Sequence, residues 1–499
     1  MKKTYLKFLS VVMVVLFSCS FFVGCNPYRE LNKASKNLTK YTIEATLNED
    51  MTLDAVQTVS VVNKTDVVLD NDCFNMYGTA FSEQASIKPY NKLNQGKCFP
   101  NGVSYGDMSV YDVKVNGKNA VYTLTGEDNN AVKIELAQKL EPDQRVEICF
   151  KVYVKLANCT HRLGYYNGKV NLGNWFPILA IYEKGDYLTY PYYSAGDPFY
   201  TQLANFEVNI TYPNCYELSS TGQSINVDKK QSTITNNLSA LAVRDFAITL
   251  TENAQSKTKQ YKNTQVKYVG YGEDLNVDYC LDVGIKAIEF FSKKFGEYVY
   301  PSISIVKAPF LHGGMEYPSI VIISDSITDQ FEIAKVIVHE IAHQWWYAMV
   351  GNNQVTESWL DESLAEYSSL LFFEEHKEFD VTYEELVSDA FASYTLYADI
   401  VNTLEGNIKT SMLLNVNEYN SDYEYSYMIY VKGILMFDSL RQVVGKNKVE
   451  AGLKKYFNKY KFKIASTDCF IECMRKTTNR DVEGFFDSWL NGKTLIGTI

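Results

Sequence analysis

The chain has 499 residues, of which 46% are hydrophobic and 21% charged, enough for two or three folded domains and too apolar for wholesale disorder. Its 48 basic residues against 59 acidic ones give a net charge of −11, which excludes nucleic acid as the main partner, because a phosphate-binding surface needs excess cation. Only 5 histidines occur, so their placement is more informative than any bulk figure.

The first segment reads as an export signal: Lys2, Lys3 and Lys7, then an apolar run from Phe8 to Val23, then small residues at a processing point. Phe22-Val23-Gly24-Cys25 resembles a bacterial lipobox. That resemblance implies removal of residues 1–24, lipidation of Cys25 and an exported protein anchored by diacyl lipid at a bacterial cell surface. A plain secretory signal and an uncleaved anchor are the alternatives. Loss of residues 1–24 would take the net charge from −11 to −14. No later stretch reaches the ~18 apolar residues that span a bilayer. Polar residues 25–40 read as a tether.

Eight cysteines follow Cys25, scattered without zinc-ribbon spacing. Cys73–Cys98 and Cys149–Cys159 are possible bridges, with pairing left open. Cys469 and Cys473, one helical turn apart, read as free thiols.

From Tyr41 the period is two. Tyr41–Leu47, Val56–Val61, 132–136, 146–152 and 206–210 alternate as strands, and Val115-Asn116-Gly117-Lys118 reads as a turn. No run before residue 250 carries a helical stripe, so residues 41–255 are expected to be an all-β domain of layered sheets. The polar stretch Glu252–Lys257 marks the expected boundary. Residues 256–499 read as α+β and mainly helical, with helices near 277–295, 331–350, 358–375, 383–399, 425–442 and 447–460. Short strands lie near 302–306 and 319–323.

Two of the histidines fall in His339-Glu340-Ile341-Ala342-His343. Positions four apart share a helix face, so both imidazoles can reach one ion, and Glu340 sits beside it to activate water rather than to ligate. A catalytic zinc takes three protein ligands and keeps one position open. Glu362, which follows His343 after 18 intervening residues and lies on the next helix, completes a His₂Glu set, and Glu366 one turn on is a candidate to orient a ligand histidine.

The run from Val338 to Tyr367 resembles the zinc helix pair of the aminopeptidase N family, gluzincins that include the leukotriene-hydrolase branch. Gly313-Gly314-Met315-Glu316-Tyr317 resembles the family's G-x-M-E-N motif, and Tyr430-Val431-Lys432-Gly433 its Y-x-K-G motif. The β half matches loosely, through Asn174-Trp175-Phe176-Pro177 and Asp197-Pro198-Phe199-Tyr200. The resemblance implies a thermolysin-like catalytic domain with one Zn²⁺ per chain. It implies a zinc aminopeptidase that acts on peptides with a free N-terminus. Glu340 would handle the proton of the attacking water, and Tyr430 would stabilise the oxyanion together with zinc. Glu316 would bind the substrate α-ammonium, and Gly313 and Gly314 would let the substrate backbone approach.

Four departures qualify the resemblance. Tyr317 stands where the family usually has Asn, and Ser363 where Gly commonly follows the third ligand. No Q-x-E motif occurs in the β half, so preference for the first residue is not readable. The likeness to the family's catalytic domain runs out at Leu490, so the helical domain that usually closes the cleft is expected to be missing and the cleft to be open. An endopeptidase, a lipid-epoxide hydrolase on the same scaffold, and an inert surface binding protein are the rival readings.

Overall fold

The computed structural model describes residues 27–272, 276–406, 408–494 and 496. The export signal and Cys25 lie outside the described residues. Among those described, no helix is long and apolar enough to cross a membrane.

A strand-rich N-terminal region is followed by a mainly helical C-terminal part. The largest sheet has eight strands with Thr39–Leu47 near its centre, paired antiparallel to Thr52–Val62 and parallel to Ala204–Pro213. Tyr41, Ile43, Ala45 and Leu47 point inward while Glu44 and Thr46 face water, as a half-buried strand with period two requires. Two four-stranded sheets complete the layers. The hairpin at Asn116-Gly117 closes with both residues at positive φ, the geometry of a two-residue turn that matches strand twist.

One expectation needs correction. Part of segment 25–40 is not a tether: Arg29–Ala34 forms a helix whose Leu31 is buried, and Thr39 opens the first strand. At Glu252–Lys257, read as the boundary, the chain passes between sheets. Glu252 ends a strand of a four-stranded sheet, Asn253 turns at φ 55°, and Ala254–Tyr261 forms an edge strand of a five-stranded one.

The strand Ala254–Tyr261 belongs to a five-stranded sheet that carries Ser302–Ala308, Ile320–Ser324 and, at its other edge, the two residues Gly314–Met315. The helices Val277–Lys294, Gln330–Ala342 and Glu362–Glu375 pack beside it. The helix expected near 425–442 is interrupted. Asp422–Ser426 leads into a π-helical turn at Tyr427–Val431, and Lys432–Val444 follows.

The two halves are clamped by Arg244, buried without a carboxylate partner. Its Nε donates to Tyr347 O at 2.7 Å, Nη1 to Thr201 O at 3.0 Å and Nη2 to Lys463 O at 2.7 Å. Gly351 leaves room for it, since a Cβ there would fall 2.2 Å from Arg244 Cζ. The described cysteines are free thiols, and the neighbour of Cys98 is Cys159 rather than Cys73.

Candidate active site

The helix Gln330–Ala342 begins at Asp329, whose side chain accepts the backbone N–H groups of Phe331 and Glu332. Its apolar face (Ile333, Ile337, Val338, Ile341) is buried, which presents His339 and Glu340 in the last turn and His343 at the C-cap to one cavity. Trp346 Nε1 donates to Ser368 Oγ at 2.8 Å and ties this helix end to the helix that starts at Glu362.

Three side chains converge there. His339 Nε2 lies 3.0 Å from His343 Nε2, and both lie 3.2 Å from Glu362 Oε2. His343 Nδ1 faces Trp346 O at 3.0 Å, which turns Nε2 inward. His339 Nδ1 sits 3.3 Å from Glu366 Oε1, the orienting contact anticipated for that acid. Of the other histidines, His161 is buried near Phe310, half-buried His312 packs on Phe310 and lines the same cavity, and His376 stacks on Phe372.

The electrostatics suit a dication. Burial disfavours the His343 cation, but Glu362 raises its pKa to about 10. Burial likewise works against ionised Glu362, yet His343 and His339 hold it well below the usual carboxylate range. Positive charge is therefore favoured where the two imidazoles and the carboxylate meet. Burial pushes Glu340 up to about 7 against the pull of both histidines, and its Oε2 is buried without a hydrogen-bond partner among the described residues. Two imidazoles, one carboxylate and an unsatisfied acid beside them fit Zn²⁺ with water.

The cavity, of about 410 Å³, also receives Glu316, which follows the edge strand Gly314–Met315. Gln354 Nε2 donates to Glu316 Oε1 at 3.2 Å. Ligand atoms of Glu316, Glu340 and His343 lie within 4.8 Å of one another. The glycines differ from expectation. A Cβ at Gly314 would fall 2.2 Å from Glu340 Oε1, so this glycine makes room for the acid, whereas at Gly313 only Val336 comes near, at 3.8 Å.

Tyr430 comes from the π-helical turn. Its ring stacks on His339 with centroids 5.8 Å apart and its hydroxyl interacts with Glu362. Burial and the Glu362 charge raise its pKa, so its proton stays on oxygen at neutral pH. Tyr425 meets it edge-on at 5.9 Å and lines the same cavity.

Sequence reasoning did not assign Asp197. Its carboxylate stands with Glu316 and Glu362 inside the 4.8 Å cluster and pairs with buried Arg162. Its only signal was the Asp197-Pro198-Phe199-Tyr200 segment, which carried no role.

A family model described as the peptidase family M1 domain matches residues 279–489. Over those residues the C-terminal half of this chain is similar to the M1 peptidase domain. Aminopeptidase N of Lactobacillus helveticus is 28% identical over 230 residues, 43% of this chain and 26% of that one. Leukotriene A-4 hydrolase of Xenopus laevis is 27% identical over 193 residues, 37% of this chain and 30% of that one. The chain thus spans between a quarter and a third of the length of these relatives. Across both halves, the fold matches crystal structures of an M1 zinc metallopeptidase mutant from Deinococcus radiodurans. One has a TM-score of 0.67 at 14% identity, covering 92% of this chain and 95% of that one. Another, bound to a Tyr-Ser-Ala substrate, has a TM-score of 0.66 at 16% identity, with the same coverage of both chains. The part that matches the M1 domain therefore follows a β-rich region in the same two-part fold.

Proposed function

We propose that this protein is a zinc aminopeptidase that hydrolyses the N-terminal peptide bond of peptides. The observation that carries the reading is one cavity in which the His339–His343–Glu362 donor set, the acid Glu340 and the carboxylate Glu316 all meet.

His339, His343 and Glu362 would hold one Zn²⁺. The ion supplies a Lewis acid that lowers the pKa of water to about 7. Glu340 takes a proton from the attacking water and returns it to the departing amine nitrogen as the C–N bond breaks. Tyr430 keeps its phenolic proton and donates a hydrogen bond to the carbonyl oxygen as that atom turns anionic. Glu316 pairs with the substrate α-ammonium, so the bond presented for cleavage is the first one.

The test compares matched peptides with free and acetylated N-termini, with and without chelator. The reading requires turnover of the free peptide alone and its loss on chelation. Equal turnover of the acetylated peptide would favour an endopeptidase, and metal binding without turnover an inert binding protein.

The charged n-region, apolar run and Phe22–Cys25 support export with lipid attachment at Cys25. Replacing Cys25 by Ser is expected to shift the protein from the detergent-soluble membrane fraction to the medium. Unchanged fractionation would argue against the anchor.

A further inference from the structure

Glu316 is poorly secured by its own domain. The strand before it has only two residues, paired at the sheet edge to Ile322 and Ile323, and the carboxylate receives one hydrogen bond, from Gln354. Its direction therefore depends on the backbone of the next residue, Tyr317.

Tyr317 is held from both sides. On the M1 side, Gln344, the neighbour of His343, donates Nε2 to Tyr317 O at 3.2 Å and accepts Ser319 N at 2.8 Å through Oε1. On the β-domain side, the fully buried Tyr317 hydroxyl donates to Asn174 Oδ1 at 2.7 Å. Asn174 Nδ2 in turn donates to Asp245 Oδ2 at 2.6 Å, and Asp245 Oδ1 accepts Phe246 N at 2.7 Å.

The direction of each bond is dictated by the last group. Burial pushes the Asp245 carboxyl up to about 7, but both of its oxygens accept here, Oδ1 from Phe246 N and Oδ2 from Asn174 Nδ2, so the Asn174 amide turns its oxygen toward Tyr317, which donates. The backbone is shaped to this relay. Asn174 adopts φ 54°, and a Cβ at Gly173 would lie 2.0 Å from the Tyr317 hydroxyl oxygen. An asparagine at position 317 would be too short to span this distance. The residue that departs from the family pattern is the one that crosses the domain boundary.

We propose that Tyr317 is a positioning residue through which the β domain, by way of Asn174 and Asp245, aims the Glu316 carboxylate at the substrate α-ammonium. The inference rests on Glu316 being the ammonium-binding group. It makes the N-terminal domain part of the substrate-recognition apparatus rather than a passive support.

The test is a double-mutant cycle on the metal-loaded full-length protein with an aminoacyl reporter. Tyr317→Phe is expected to raise KM about tenfold with kcat within about threefold of wild type, and Asn174→Ala to do the same. In a Glu316→Gln background, Tyr317→Phe should change KM less than twofold, because no carboxylate remains to be aimed. A tenfold loss that persists in that background, or one confined to kcat, overturns the proposal. If thermal melting shows Tyr317→Phe to be unfolded, Asn174→Ala and Asp245→Asn are judged by the same criteria. Failure of the underlying reading looks different: wild type would then not discriminate free from acetylated peptides, or Glu316→Gln would leave KM unchanged.

Discussion

Ser363 donates its hydroxyl to the carbonyl oxygen of Ile429 at 2.6 Å, joining the residue after Glu362 to the residue before Tyr430. The π-helical turn Tyr427–Val431 changes the local hydrogen-bond ladder, and Ser363 takes up this carbonyl. Gly433 is the complement: a Cβ there would fall 2.5 Å from Ser363 Oγ. A serine in place of the commoner glycine is thus built into the site rather than a sign of its decay.

Ser363→Ala leaves a buried carbonyl without its donor, a loss of about 1–3 kcal/mol. It should lower kcat about tenfold by loosening Tyr430, with metal content unchanged. Gly433→Ala should destabilise by about 1–3 kcal/mol through overpacking, but by less than about 1 kcal/mol in a Ser363→Gly background, where the hydroxyl it meets is already gone. Denaturant unfolding of these variants, with steady-state kinetics, checks both statements. Additive losses in the double variant would refute the packing argument.

Glu340→Gln keeps the shape and removes the proton carrier. A fall in kcat of about 10²–10⁴-fold is expected. Zinc content, measured by elemental mass spectrometry, should stay at the wild-type value, because the proposed ligands are His339, His343 and Glu362; loss of zinc would instead point to the Glu316–Glu340–His343 group. An active variant would sink the proposed chemistry.

Asp197 engages Arg162 beside Glu316. Asp197→Asn frees that guanidinium to pair with Glu316 and compete with the substrate ammonium. KM should rise about tenfold or more with a smaller change in kcat. Adding Arg162→Met should reverse part of the rise, and a KM that does not respond to either change would exclude this competition.

Lys432 is buried and donates to the carbonyls of Thr410 and Trp489, and burial lowers its pKa to about 8. Between about pH 8 and 10.5 the unfolded chain holds a proton there that the folded one has lost, so the protein gains stability as pH rises through that window. Relative to Lys432→Met, the gain should approach about 3 kcal/mol. Unfolding free energies at pH 7.5 and 10 measure it, and an equal pH response in both proteins would refute it.

Period-two alternation and the 3.6-residue stripes reported the strand-rich and helical halves, because each pattern repeats within one element. The convergence of His339, Glu340, His343 and Glu362 was legible for the same reason: two histidines one helical turn apart share a face, and Glu362 opens the next helix. What the patterns missed lies where an element is short or broken. The helix Arg29–Ala34 buries one leucine, too little for a stripe, and the π-turn at Tyr427–Val431 occupies what reads as one continuous helix.

The sequence by itself determined which of these side chains could meet, since His339, Glu340, His343 and Glu362 are brought together by local spacing on two helices. Only the tertiary structure decided how that site is aimed. Asn174 and Tyr317 are 143 residues apart, Ser363 and Ile429 are 66 apart, and Asp197 reaches Glu316 from the other domain. Hydrogen bonds across such separations leave no period in a sequence. They exist because two surfaces pack and each buried polar group must find a partner on the other.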